Sequence, residues 1–256
     1  MQVIPVPTDY AAPSICTHWH RYDGGTVYVV GFGTSLAGFD WTRLAGRTTI
    51  ALNHAVTMFA PTYHLYSDSS IRPRYWKHPY TDGTTIVVQE DVATEARAIK
   101  WVHYSKIATF FRVVDNCKDI PKNNDQLYVE RTVATAGIML AWKLGAARIF
   151  LLGVDGYRLA AKTTQGVESK NTRLQTGDYV CYADGSAHRT QGPMDTDQTI
   201  GDIVVRESHM EWAADMGKLK LYFQTRQAAT APEVRTANPR STITAWPKCT
   251  IEEALA

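Results

Sequence analysis

His188, in the run Gly185-Ser186-Ala187-His188-Arg189, is by type the residue best suited to move a proton. An imidazole titrates near neutrality without help, which is what a general base needs. His209 is a second candidate, on a predicted helix where packing or solvent exposure accounts for it equally. His18 and His20, two apart, would share one face of a strand, but no third metal ligand accompanies them. Gly31-Phe32-Gly33-Thr34-Ser35-Leu36 offers an anion seat. Glycine permits positive φ and close backbone approach, and the following amides with the Thr34 and Ser35 hydroxyls suit phosphate oxygens. The run is neither a Walker A nor a dinucleotide fingerprint, since Leu36 stands where the last glycine belongs. A tight structural turn would be spelled the same way.

These groups need elements to carry them. Thr26–Val30 (TVYVV) ends abruptly at the glycine turn and reads as a strand buried on both faces, as in a parallel sheet. Thr48–Leu52, His64–Ser67, Thr84–Gln89 and Ile107–Val114 read as further strands, with a helix over Ala93–His103 and a loop over Asp115–Asp125. Val133–Leu144 has helical composition, Gly145 sits where a C′ glycine belongs, and Arg148–Gly153 (RIFLLG) is a strand. That sequence of helix, glycine stop and buried strand is the αβ half of a doubly wound unit. Ala161–Thr199, long and polar, reads as a substrate-facing lid. Ile203–Met216 is predicted helical and Lys218–Gln224 (KLKLYFQ) a last strand.

With strands so placed, Asn53, Asp68 and Asp155 all fall at strand ends, where ligands of open α/β sheets bind. Each alone is an ordinary turn residue; together they suggest one cleft. Asn53 can read a base or ribose through its amide, and Asp68 can hold a divalent cation or a sugar hydroxyl. Close behind Asp68, the segment Arg72-Pro73-Arg74-Tyr75-Trp76-Lys77-His78 interleaves cations with aromatics. That mixture suits stacking on bases or sugars with phosphate pairing, and makes Arg72, Arg74 and Trp76 acceptor-side candidates.

Composition narrows the classes. In 256 residues, 27 Lys and Arg against 25 Asp and Glu give a net charge of +2, without the excess expected of a dedicated nucleic-acid binder. Hydrophobic residues make up 45%, enough for a sizeable core. No apolar run is long enough to span a bilayer, and Met1–Tyr10 has no basic residue ahead of an apolar stretch, so a cytoplasmic location is expected. The four cysteines are widely spaced, which excludes a zinc knuckle and a dense disulfide framework.

Gly31–Leu36, Ile50-Ala51-Leu52-Asn53, Val133-Ala134-Thr135 and the passage from Leu144 to Asp155 together resemble a known superfamily. It includes small bacterial sialyltransferases that use CMP-sialic acid, hydroxymethyl-dihydropterin diphosphokinase-like proteins, and phage-encoded relatives. The resemblance covers residues 26–68 and 130–157. It implies a Rossmann-like sheet with a nucleotide at the glycine turn, Asn53 on the nucleoside, and Thr132 or Thr135 lining the same site. It also implies lid tyrosines on the leaving phosphate, for which Tyr157, Tyr179 and Tyr182 are candidates, and a lid histidine as base, for which His188 is one. The sialyltransferase branch needs no metal; the diphosphokinase-like branch would place Mg²⁺ on Asp68 and Asp155. Thr34 departs from the proline common in the sialyltransferases.

The resulting expectation is a Rossmann-like, doubly wound, mainly parallel α/β sheet. Residues 1–25 form an irregular lead-in, 26–225 the nucleotide-binding transferase domain with a lid at about 160–200, and 226–256 a C-terminal tail. The expected function is transfer of a group, foremost a sugar, from a nucleotide-activated donor to an acceptor hydroxyl on a glycan, small molecule or nucleic acid. No cofactor is required in that reading, and an oligomer is compatible with it. The alternatives are Mg²⁺-dependent diphosphate transfer from ATP, modification of nucleic-acid bases by a phage enzyme in the host cytoplasm, and a non-catalytic nucleotide-binding module.

Overall fold

Runs of β-branched and aliphatic residues too short to form helices become the buried strands of a parallel sheet. The structure is a computed structural model and describes residues 14–67, 85–90, 107–113, 120–160, 168–169, 172–173, 179–180, 183–184, 198–200 and 202–256. Along the chain, β1 (Thr26–Val30), β2 (Thr49–Leu52), β3 (Tyr63–Tyr66), β4 (Ile86–Glu90), β5 (Ile107–Val113) and β6 (Gln126–Tyr128) lead into helix α1 (Val133–Lys143) and β7 (Arg148–Leu152). Short strands follow: β8 (Arg158–Ala160), β9 (Glu168–Ser169), β10 (Thr172–Arg173), β11 (Tyr179–Val180), β12 (Gln198–Ile200) and β13 (Ile203–Val205). Helix α2 (Glu207–Arg226), β14 (Glu233–Thr236) and α3 (Ile251–Leu255) complete the order.

The central sheet has eight strands in the order β14-β7-β1-β2-β3-β4-β5-β6. Every adjacent pair is parallel. The chain therefore builds outward from β1 to β6, returns through α1, and adds β7 and β14 on the other side of β1. The strand order reverses between β1 and β7. This is a Rossmann-like α/β fold, as the sequence suggested.

Side chains alternate between two apolar layers. Val27, Val29, Ile50, Leu52, Leu65, Ile149 and Leu151 face α1 and α2. Tyr28, Val30, Ala51, Tyr66, Val87 and Leu152 face the 3₁₀ turns after β1 and β2 and the C-terminal helix. Helix α1 is buried almost all round, which its Ala- and Gly-rich sequence permits. Thr132 caps it by accepting from the Ala134 amide (3.2 Å), and Gly145 ends it at φ +95°. Helix α3 is tied down by Arg47, which donates to Leu255 O (2.6 Å) and to the Tyr28 hydroxyl (2.6 Å).

Three expectations need correction. Lys218–Gln224, expected as a strand for its alternation, lies inside α2. The buried positions there (Asp215, Met216, Leu219, Tyr222 and Phe223) are spaced by three and four, so the helical period wins. The helix expected over Ile203–Met216 begins at Glu207, because Ile203–Val205 pairs with β8. Residues 226–256, expected as a tail, supply β14, which pairs with β7 from Glu233↔Arg148 to Thr236↔Leu151. β6 lies between the loop expected over Asp115–Asp125 and the helix from Val133, where no element was expected. The helix expected over 93–103 lies outside the described residues.

At the far end of α1, Lys143 is fully buried; its ammonium donates to the carbonyls of Pro121 (3.3 Å) and Asn124 and lies over the Trp19 ring (5.1 Å). Burial lowers its pKa from 10.5 to about 8. Between those values the unfolded chain holds the proton that the folded chain has released, so stability rises with pH across that window. We expect this group to add on the order of 3 kcal/mol between pH 8 and 10.5. Denaturant titrations of wild type and Lys143→Met at about pH 7 and pH 10 check it: the difference between the two proteins must change with pH in that sense.

Candidate functional site

β1 and β7 are neighbours, so the loops that leave their carboxyl ends run side by side. Gly31 N donates to Leu152 O (2.7 Å) and Gly33 N to Gly153 O (2.9 Å). This close crossing is what requires the glycines. A Cβ on Gly33 would lie 2.6 Å from Gly153 O and 2.7 Å from the Asp155 carboxyl carbon.

Asp155 then closes the junction. Its carboxylate accepts from Ser35 N (2.9 Å), Ser35 Oγ (2.5 Å) and Asn238 Nδ2 (2.9 Å). Asn238 Nδ2 also reaches the Tyr157 hydroxyl (3.1 Å), and Asn238 Oδ1 accepts from Arg240 N (2.9 Å). Ser241 Oγ donates to Asp155 O (2.9 Å), so β14's exit loop holds both ends of the residue. Burial pushes the Asp155 carboxyl up from the usual range, while the Ser35, Asn238 and Thr34 contacts pull it down. Burial, and then the charge of Asp155, raises Tyr157, which stays a neutral hydroxyl.

Most of the donors that the sequence set aside for phosphate are thus engaged inside the protein, the buried Thr34 hydroxyl excepted. The amides of Gly31, Gly33, Ser35 and Leu36 all donate internally, as does the Ser35 hydroxyl. Asp155, a Mg²⁺ ligand in the diphosphokinase reading, has both oxygens committed to protein donors.

Asn53 stands differently. It follows β2 at the same sheet edge, with φ +48°, a left-handed conformation that asparagine tolerates better than most side chains. Its carbonyl is bonded to His64 Nε2 (3.0 Å), yet its side-chain Oδ1 is buried without a hydrogen-bond partner. A left-handed backbone and an unsatisfied buried acceptor meet in this one residue, which makes Asn53 a candidate ligand contact.

Thr132 and Thr135 come to this edge on the first turn of α1. One turn further on, Gly137 packs against Val29 and Leu52, near the ends of β1 and β2. The Thr135 hydroxyl donates to Thr132 O (2.8 Å). Beside them a charged cluster clamps α2: Arg131 pairs with Glu211 (3.2 Å) and Asp215 (3.3 Å), and Lys218 with Glu130 (2.6 Å). The Lys218 contact draws Glu130 down to about 2, whereas burial raises its neighbour Asp215.

The structure therefore gathers Gly31, Phe32, Gly33, Thr34, Ser35, Asn53, Thr132, Thr135, Asp155 and Tyr157 at the carboxyl edge of the sheet. Tyr179 lies on β11, paired with Ala160 of β8. Tyr182, His188, Asp68, Arg72, Arg74 and Trp76 lie outside the described residues. His209 is buried against Trp212, and its Nδ1 accepts from Arg206 N (3.1 Å), which caps α2. Sequence reading missed Asn238 and Arg240; the signal was the Asn238-Pro239 turn directly after an alternating strand.

No protein-family model and no curated protein matches the chain. Among solved structures it is similar to the MAf glycosyltransferase from Magnetospirillum magneticum AMB-1, with a TM-score of 0.51 and 12% identity. The match covers 92% of this chain and 37% of that one. The likeness is one of fold: both have a Rossmann-like α/β architecture over the matched region. Among the described residues no group of three or more His, Cys, Asp or Glu converges as a metal site, and no helix is long and apolar enough to cross a membrane.

The Asp155 junction generates a stability prediction. Gly33→Ala drives a methyl into the Gly153 carbonyl and should cost about 3 kcal/mol. Asp155→Asn turns one acceptor into a donor facing Ser35 or Asn238 and should cost about 2 kcal/mol. Urea denaturation of both variants checks this; wild-type midpoints would contradict the account.

Proposed function

We propose that this chain is a transferase that moves a sugar from a nucleotide-activated donor to an acceptor hydroxyl, with the nucleoside bound beside Asn53 at the carboxyl ends of β1 and β2. The observation that carries the reading is Asn53 itself, with a left-handed backbone and a buried, unpartnered Oδ1 at the carboxyl edge of a parallel sheet, one strand from the point where the strand order reverses. The glycosyltransferase fold of a solved neighbour supports it.

In this reading the Asn53 carboxamide recognises the base or ribose, and Thr132 and Thr135 line the pocket wall at the start of α1. Asp155 acts at one remove: it holds the Ser35 turn and the Asn238 loop as a rigid floor. His188 removes the proton from the acceptor hydroxyl as its oxygen attacks the anomeric carbon. The bond from that carbon to the donor phosphate breaks, and its electron pair leaves with the phosphate oxygen. Tyr157, with Tyr179 and Tyr182, donates hydrogen bonds to that oxygen. Asp68, Arg72, Arg74 and Trp76 hold the acceptor.

Two variants separate recognition from folding. Asn53→Gly accepts the left-handed backbone at no steric penalty while removing the carboxamide, so it should match wild-type stability. Its affinity for the bound nucleotide should fall about tenfold, the worth of one to two hydrogen bonds. Asn53→Asp keeps the shape but places a charge where the amide stood, and should weaken binding further. Isothermal titration with nucleotides and nucleotide sugars, with and without Mg²⁺, reads the result. Failure of every nucleotide to bind wild type, or unchanged affinity in Asn53→Gly, would remove the assignment.

A further inference from the structure

An ordinary surface helix buries one face and turns charged side chains outward. Helix α2 buries His209, Asp215, Met216, Leu219, Tyr222 and Phe223 on one side. At about 100° per residue, the line pointing most directly away from them runs through Met210, Ala214, Gly217, Leu221 and Gln224. That line carries no charge. Met210 is 44% and Leu221 59% exposed, two of the four large apolar side chains exposed among the described residues. The charges stand on the flanks instead, with Glu207, Glu211 and Lys218 along one side and Lys220 along the other. Glu211 and Lys218 keep 43% and 40% of their side-chain surface exposed while ion-paired.

Gly217 lies in the middle of the apolar line. Glycine in a helix interior is destabilising relative to alanine. For Gly137 of α1 the chain supplies a reason, since a Cβ there would lie 2.8 Å from Val29 Cγ1. A Cβ on Gly217 would meet nothing within 4 Å. Among the described residues, therefore, no contact calls for a glycine at this position. Bare backbone beside Ala214, with Met210 and Leu221 a turn to either side, suits the close crossing of a second helix.

The order of charges along α2 selects the occupant. Glu207 and Glu211 lie in its first half, and Lys218, Lys220 and Arg226 in its second. That polarity suits the helix's own dipole. It also makes two copies of α2 complementary when they lie antiparallel and repulsive when they lie parallel. A two-fold axis between Ala214 and Gly217 sets Met210 against Leu221 of the partner subunit, and Ala214 against Gly217 of the partner subunit. In an antiparallel pair like flanks meet, so Glu211 comes opposite Lys218 of the partner subunit. The patch complements itself, as a closed two-fold contact requires.

We infer that the outer face of α2 is where two copies of this chain associate, antiparallel about a two-fold axis at Ala214 and Gly217. The inference does not rest on the proposed nucleotide site.

Sedimentation equilibrium of the full chain tests it. One helix face is a small contact, so wild type should show a monomer–dimer equilibrium with a Kd on the order of 10 µM. Gly217→Gln, Met210→Lys and Leu221→Glu should each raise that Kd at least tenfold. All three positions point outward, so circular dichroism should show each variant folded; should one fail to fold, the other two are read. Mixing Met210→Lys with Leu221→Glu should restore dimers, because the mixed pair sets the introduced lysine against the introduced glutamate and leaves Leu221 against Met210. A wild type that stays monomeric up to about 200 µM would overturn the inference and leave the face to a different partner. A dimer indifferent to the variants would overturn it as well. Dimers weakened by the single variants but not restored by mixing would overturn the antiparallel arrangement.

Discussion

The structure depends on one buried carboxylate. Asp155 joins three stretches of chain, the turn after β1, the loop after β7 and the loop after β14, and its bond to Ser35 spans 120 residues of sequence. An anion in this setting is tolerable only with its lone pairs satisfied, and both oxygens are. Ser35 and Asn238 can hold the carboxylate because Gly31 and Gly33 let the two loops cross at backbone contact.

This arrangement changes the meaning of the glycine turn. In many α/β proteins a glycine-rich turn after the first strand presents amides to a phosphate. Here the protein supplies the anion itself. The turn is built as an anion seat and used as a clasp. Beside it, Arg131 ties the amino end of α1 to α2 through Glu211 and Asp215.

Much of this was legible in the sequence. TVYVV and RIFLL are almost wholly apolar because β1 and β7 are covered on both faces, and five residues are too few for a helix of comparable burial. Helix α1 and its stop at Gly145 were equally plain. The elements that misled were those where local pattern and tertiary context disagree. KLKLYFQ alternates like a strand, but only the longer window shows which of its side chains are buried. β14 (EVRT) alternates charged and apolar residues because one face of that strand is exposed, which made it resemble a tail. The positions of Ser35 and of Asp155 could each be read from strand ends. Their mutual contact could not, since no local rule encodes a bond across 120 residues.

The eighth strand of the central sheet, built from Glu233–Thr236, has a consequence for how the chain comes into being. A ribosome delivers β7 some eighty residues before the strand that flanks it, and Asn238 later still. Until then the outer rim of β7 is an open backbone ladder on an apolar strand, a surface that invites pairing with other chains. Synthesis therefore passes through a long interval in which most of the sheet exists but its clasp does not.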